Sequence, residues 1–324
     1  MYMFDNKITI EERELLEQYL SGYDYKTSGL SFSALYMWRD INLFSWQKIG
    51  DYVCISGISH LELEEGIILP FMFPPLTATG QYDPQSLRKT IYQAKEIFES
   101  KGHPFSIRLL PLHMIDIIKA ACPKEMKYIE DRPNYDYVYR TQDLIDLKGR
   151  EYHSKKNHLN YFLNNYEYKY VPLTSDMAED AMKFIAEFNQ RKEVPDHEML
   201  MLKMEEDAMK DVFRNLETIG YMAGAILIDG KIEALSIGGN LNRKTITVHV
   251  EKANTNFRGL YQAINNEFCK HVASTVKYIN REEDMGIPNL RKAKLSYKPV
   301  KLLEKHIAVF KNDAIELPDK EIVE

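Results

Sequence analysis

Two stretches of this 324-residue chain concentrate carboxylates, hydroxyls and cations at spacings that chemistry could use. In the first, Thr245 to Glu251, strand alternation sends Ile246, Val248 and Val250 to one side and Thr245, Thr247, His249 and Glu251 to the other. The polar turn Asn254 to Gly259 then delivers Arg258 and Gly259 to a helix start, where free amides and the helix dipole attract phosphate. In the second, Asn280-Arg281-Glu282-Glu283-Asp284-Met285-Gly286 places three acids at the end of a strand, where open sheets hold ligands. A helical reading of the next segment sets Arg291, Lys294 and Lys298 at i, i+3 and i+7, one cationic row suited to phosphate or carboxylate, with Lys292 pointing elsewhere. Together these groups suit direct attack of a neutral amine or hydroxyl on an activated acyl group. Glu251, Glu282 or Asp284 would take the proton, backbone amides would hold the oxyanion, and Tyr297 would protonate the leaving group. Arg258, Gly259, Arg281, Arg291, Lys294 and Lys298 would hold donor phosphates, and no Cys or Ser nucleophile is required.

Other chemistries find little support. The chain has only 15 glycines, with neither G-x-G-x-x-G nor G-x-x-x-x-G-K-[ST], which argues against dinucleotide and P-loop sites. Ala234 to Gly238 resembles a nucleophile elbow, but an elbow needs a following helix and here another strand follows. There is no H-E-x-x-H, and Cys269 and His271 diverge on a helix, so no metal is expected. Cys54, Cys122 and Cys269 are far apart and read as buried thiols of a reducing compartment. No apolar run reaches membrane-spanning length and no signal peptide is visible, so a cytoplasmic chain is expected. The net charge of −6 argues against a surface that grips nucleic acid throughout, leaving one local strip, Lys148, Arg150, Lys155 and Lys156 with His153 and His158, as the place for tRNA.

The elements that must position these residues follow from pattern. Thr9 and Glu12 form a capping box for a first helix, Ser31 starts a second, and Leu43–Lys48, Tyr52–Ser56 and Ile67–Phe73 read as strands flanking a Gly57 to Gly66 loop. Asp83-Pro84 opens a helix to Gly102; a strand at Phe105–Leu109, a helix from Pro111 and a strand at Tyr135–Arg140 follow. The segment from Gln142 to Glu167 reads as a polar helical link. The second half repeats the order: helices from Ser175 and His197, and a meander over Ile219–Ile228, Ile232–Gly238 and Lys244–Val250 turning at Asp229-Gly230. A helix Arg258–Ala273, a strand at Val276–Ile279, a short helix at Asn289–Tyr297 and a last strand Val300–Phe310 complete it. Meanders followed by helical crossovers imply mixed α/β sheets with helices on both faces, best matched by two acetyltransferase-like domains, residues 1–141 and 142–324.

The run Asn280 to Pro288 with Leu290-Arg291-x-x-Lys294-x-x-Tyr297-x-Pro299, and Tyr135-Asp136-Tyr137 through Lys155-Lys156-Asn157, resembles bacterial proteins sharing the phosphatidylglycerol lysyltransferase C-terminal domain. The resemblance implies two tandem acetyltransferase-like domains and transfer of an aminoacyl group from aminoacyl-tRNA to a lipid, peptide or small-molecule acceptor. The alternative donor is an acyl-CoA. The acetyltransferase pattern Q/R-x-x-G-x-G/A becomes Asn256-Phe257-Arg258-Gly259-Leu260-Tyr261 here, and the two replaced positions disfavour a coenzyme A pyrophosphate. A non-catalytic module binding an aminoacylated or phosphorylated ligand is the competing expectation. The Pro-rich Phe71 to Leu76 segment, poor in amide donors, leaves the N-terminal half without a comparable site.

Overall fold

A computed structural model describes residues 1–23, 26–59, 69–191, 196–313 and 322–323; most of the expected Gly57 to Gly66 loop lies outside them. The chain begins with β1 (Asn6–Lys7), α1 (Arg13–Gly22), α2 (Phe32–Trp38), β2 (Ser45–Ile49), β3 (Tyr52–Ser59) and β4 (Leu69–Met72). It continues through α3 (Pro84–Ser100), β5 (Ser106–Pro111), α4 (Leu112–Ala121), β6 (Met126–Glu130) and β7 (Asp136–Arg140). Then come α5 (Thr141–Asp146), α6 (His153–Asn165), β8 (Lys169–Pro172), α7 (Ala178–Gln190), α8 (Asp196–Arg214) and α9 (Leu216–Ile219). The meander is β9 (Met222–Ile228), β10 (Lys231–Asn242) and β11 (Thr245–Ala253), followed by α10 (Leu260–His271), β12 (Tyr278–Asn280), α11 (Pro288–Leu295), β13 (Lys301–Leu303), β14 (Lys305–Phe310) and β15 (Ile322–Val323).

Local chemistry sets several of these boundaries. Ser31 accepts a hydrogen bond from the Ala34 amide at 3.2 Å, and Asp83 accepts one from the Ser86 amide at 2.8 Å with Pro84 in the first turn, as the sequence leads one to expect. The Thr9–Glu12 capping box does not form. Glu12 itself occupies the cap position of α1 and makes no side-chain cap bond. The strand β6 has no counterpart in the sequence reading, and the expected single strand Val300–Phe310 divides into β13 and β14.

Two compact units result, each a mixed sheet flanked by helices, the mixed α/β architecture expected from the sequence. The first comprises Met1–Asp136, Glu283–Ile287 and Leu303–Glu324, and the second Tyr137–Glu282 and Pro288–Leu302. The first sheet has the order β1-β2-β3-β4-β5-β14-β6-β15 and the second β13-β7-β12-β11-β10-β9-β8. This differs from a cut at residue 141. Strand β7 hydrogen-bonds to β12 in the second sheet, while β14 returns to lie antiparallel between β5 and β6 in the first. Backbone pairing, rather than the polar link that follows β7, decides where each strand belongs.

In the second unit one sheet face is covered by α10, with α5 and α6 packed on it, and the other by α7. Leu260, Ala263, Ile264 and Phe268 of α10 meet Ile246, Val248, Ile279 and Tyr139 in one apolar cluster, so the stripe expected on that helix is its buried face.

Candidate functional site

The register of β10 against β11 changes where Ile237 faces Val250 but Gly238 faces Val248, leaving His249 as an extra residue, a β-bulge. The bulge breaks the strict alternation expected along β11. Past it, Ala253 lies in the same apolar cluster as Ile246 and Val248. Glu251 accordingly faces α10: its Oε2 accepts from Asn265 Nδ2 at 2.9 Å. Its Oε1 accepts from Arg281 Nη2 at 2.7 Å. Glu251 and His249, expected on one face, therefore serve different environments. Glu282 pairs with His249, whose Nδ1 lies 2.8 Å from Glu282 Oε1, and His249 packs edge-on to Tyr221. Glu282 sits at φ +55, with its amide donating to Asn280 Oδ1, so a left-handed turn aims its carboxylate at the histidine.

Around the Glu251–Arg281 pair the second unit assembles further polar groups. The side chains of Arg281 and Glu251 are 13% and 10% exposed, so the pair is largely withdrawn from water. Burial is the largest influence and opposes charge on Arg281, but Glu251 together with Tyr139, Tyr297 and Cys269 outweighs it and holds the guanidinium above its usual value. Arg281 Nη1 is buried and has no hydrogen-bond partner among the described residues, and the same holds for Ser236 Oγ, directly across the ladder from Glu251. Tyr297 is buried, with the Arg281 guanidinium 5.0 Å from its ring centroid and Lys155 Nζ at 4.5 Å. Burial raises the Tyr297 phenol well above its ordinary value, so it stays protonated. Burial, and then the positive charge of Arg281, lower Lys155. Glu251, Arg281, Tyr297 and Lys155 thus share one cluster on one sheet face, with α6 supplying the lysine.

The other expected residues lie elsewhere. Asp284 is fully buried in the first unit, paired with Arg132 at 3.1 Å, and its Oδ1 accepts from the Gly286 amide at 2.9 Å. It holds a turn, and its carboxylate is committed to Arg132 rather than placed beside Glu251. Glu283, in the same unit, lies 3.5 Å from Lys305. The cationic row does not form, because α11 ends at Leu295. Lys298 lies beyond it in a left-handed conformation, and Lys294 is buried, donating to the Arg281 carbonyl at 2.5 Å. Lys294 therefore fixes the Arg281 backbone. Arg291 is partly exposed on α11.

Gly259 begins α10 at φ +90, and a Cβ there would lie 2.1 Å from the His158 carbonyl oxygen. The glycine is required because α6 crosses the helix start at backbone distance. Arg258 lies over the Tyr161 ring of α6 at 4.5 Å. The proposed phosphate-binding helix start is thus a helix-packing joint. Of the tRNA strip, Lys155 turns inward, Lys148 pairs with Asp146 at 3.0 Å, and Arg150 and Lys156 are exposed. A cavity of about 570 Å³ lies in the first unit between Gln47–Gly50 and the α3 residues Gln93 and Glu96, and no expected site residue lines it. Asn265 was not singled out from the sequence, His249 was named there only as part of a polar strand face, and Ser236 only within the dismissed elbow-like segment. The signal that could have found Asn265 is the run Asn265-Asn266-Glu267 at buried positions of an otherwise apolar helix face.

Residues 21–309 match the family described as Phosphatidylglycerol lysyltransferase, C-terminal, and the chain belongs to that family, an acyltransferase-like group. It is 32% identical to a conserved protein of unknown function from Bacteroides thetaiotaomicron, with a TM-score of 0.81 over 96% of this chain and 100% of that one. The L-PGS of Bacillus licheniformis shares the fold, with a TM-score of 0.63 at 11% identity over 96% of this chain and 95% of that one. An uncharacterised protein of Mycoplasmoides gallisepticum is 23% identical over 178 residues, 53% of this chain and 55% of that protein, so the match spans about half the length of this curated relative. No helix among the described residues is long and apolar enough to cross a membrane.

Proposed function

We propose that the second unit transfers an acyl group from an activated ester to an amine or hydroxyl, with an aminoacyl ester such as aminoacyl-tRNA as donor in preference to an acyl-CoA. The observation that carries this reading is the Arg281 guanidinium. One arm is fixed by Glu251 and the other, Nη1, is a buried donor without a hydrogen-bond partner among the described residues. A preformed donor in a poorly hydrated setting is what a developing oxyanion needs, and it costs no reorganisation when charge appears. In the step, the acceptor nitrogen or oxygen forms a bond to the acyl carbon, the carbonyl oxygen becomes the oxyanion beside Arg281, and collapse breaks the ester C–O bond. Glu251 takes the proton lost by the acceptor, the protonated Tyr297 gives its own proton to the departing oxygen so that it leaves as a hydroxyl, and the proton on Glu251 then restores the phenol.

The preference against acyl-CoA rests on α6. His158 at the start of α10 leaves Gly259 no free approach for a pyrophosphate, and Arg258 is drawn onto Tyr161. The family description names phosphatidylglycerol, which makes that lipid the first acceptor to test. The test measures transfer of label from aminoacyl-tRNA and from acetyl-CoA to phosphatidylglycerol, amine and peptide acceptors. Transfer from aminoacyl-tRNA is expected, with Arg281→Lys lowering turnover by roughly 10²–10³, the cost of losing one oxyanion donor. Transfer from acetyl-CoA alone, or an Arg281→Lys variant with unaltered turnover, would refute the reading. Saturable binding without transfer would favour a ligand-binding module.

A further inference from the structure

We infer that the second unit carries an RNA-backbone binding surface centred on Tyr278, away from the strip at residues 148–156. Tyr278 opens β12 and pairs across the ladder with Arg140 of β7, which places the two side chains on one face as direct neighbours. Lys277 Nζ stands 5.2 Å from the Tyr278 ring centroid and Lys301 Nζ, on the edge strand β13, stands 5.9 Å from it. The Tyr278 and Lys277 amides both donate to the Lys244 carbonyl, at 2.9 and 3.1 Å, so the β10–β11 turn adds another cation at the same end of the sheet. Arg140, Lys244, Lys277 and Lys301 are all exposed. The charged groups that act on the Tyr278 phenol are Lys277, Lys301 and Arg140, all positive, and together they lower it. Among the described residues no acid forms an ion pair with any of these four cations.

Such a cluster is unusual on a chain whose net charge is −6. Four like charges repel one another, and the Tyr278 ring, through cation–π contact, is the group that gathers two of them. A surface that concentrates unpaired cations around an aromatic ring has the electrostatic footprint of a phosphate-backbone contact, in which each cation releases a counterion. Strand alternation puts Tyr278 and Arg140 on the face opposite Tyr139 and Arg281, so this surface can be altered without touching the Glu251–Arg281 pair.

The inference rests on the reading of an RNA-borne donor, but it is measured apart from catalysis. The full chain is titrated into fluorescein-labelled, deacylated bulk tRNA at several KCl concentrations, with melting temperature as the check on folding. Binding should weaken steeply with salt, and Lys277→Glu/Lys301→Glu should weaken it roughly tenfold or more and flatten the log–log salt slope by about 2. Tyr278→Phe should bind as the parent does, whereas Tyr278→Ala should bind less tightly. A parent chain that binds tRNA with this salt dependence but transfers no aminoacyl group would leave the surface standing and defeat only the proposed reaction. Unaltered binding by the Lys277/Lys301 variant, or loss confined to Lys148→Glu/Arg150→Glu, would overturn the inference. So would binding to phosphatidylglycerol vesicles in the absence of saturable tRNA binding.

Discussion

Glu251 and Arg281 illustrate how a buried pair is worth most when one member is removed. Each offsets the other's desolvation, so Glu251→Gln leaves a guanidinium without its countercharge and should cost about 3 kcal/mol, read as a lower urea midpoint. Lys155 behaves in the opposite sense. Its lowered value means that the folded state resists protonation, so the unfolded chain binds more protons between the lowered folded value and the ordinary ~10.4. Stability therefore rises with pH across that window, and the full penalty is present below it. Lys155→Met should raise the melting temperature at neutral pH, and the gain should fade as the pH passes ~10.4. A gain that persists unchanged above that pH would refute the assignment. Glu251, Arg281 and Tyr297 were each named from the sequence as candidates. Their grouping was not, because one extra residue at His249 turns Glu251 to the opposite face, and a period-2 reading contains no sign of a bulge. Lys155 was misread for a related reason: charge alone does not say which side of a helix meets a ring.

The joint between α6 and α10 shows the same limit for elements. Gly259 was correctly located at a helix start, but its purpose depends on an element about a hundred residues earlier, the His158 carbonyl that would meet a Cβ at 2.1 Å. Gly259→Ala should therefore destabilise the second unit by more than the ~1–3 kcal/mol of the left-handed backbone alone, through the added clash with α6. A midpoint shift within that range would mean that α6 yields. Helix existence and most strand positions followed from periodicity and caps, as at Ser31, Asp83 and the Asp229-Gly230 turn. The cationic row on α11 failed because the helix stops at Leu295, and a spacing of seven residues has meaning only while the helix continues. β6 escaped notice because Met126–Glu130 is a short strand of mixed polar and apolar residues whose partners, β14 and β15, are far away in sequence.

At the scale of the molecule, the chain leaves the first unit at Asp136, returns briefly at Glu283–Ile287 and comes back for good at Leu303. Lys305 of β14 seals this return. Its Nζ lies 2.6 Å from Asp136 Oδ1, both side chains are buried, and Ser28 adds its amide and hydroxyl to the same carboxylate. Lys305→Met should destabilise the first unit by roughly 3–5 kcal/mol, with Asp136→Asn recovering part of the loss in the double variant. An additive double variant would show that the pair contributes no coupling.

The position of β14 also bears on how the protein is made. A ribosome releases the amino-terminal strands first, yet β5 and β6 have no neighbour between them until residue 310 has been synthesised. The middle of the chain, with its sheet nearly self-contained, can fold ahead of the beginning, reversing the usual order of vectorial folding. During that interval the backbone edges of β5 and β6 that face each other are open to mispairing until β14 arrives.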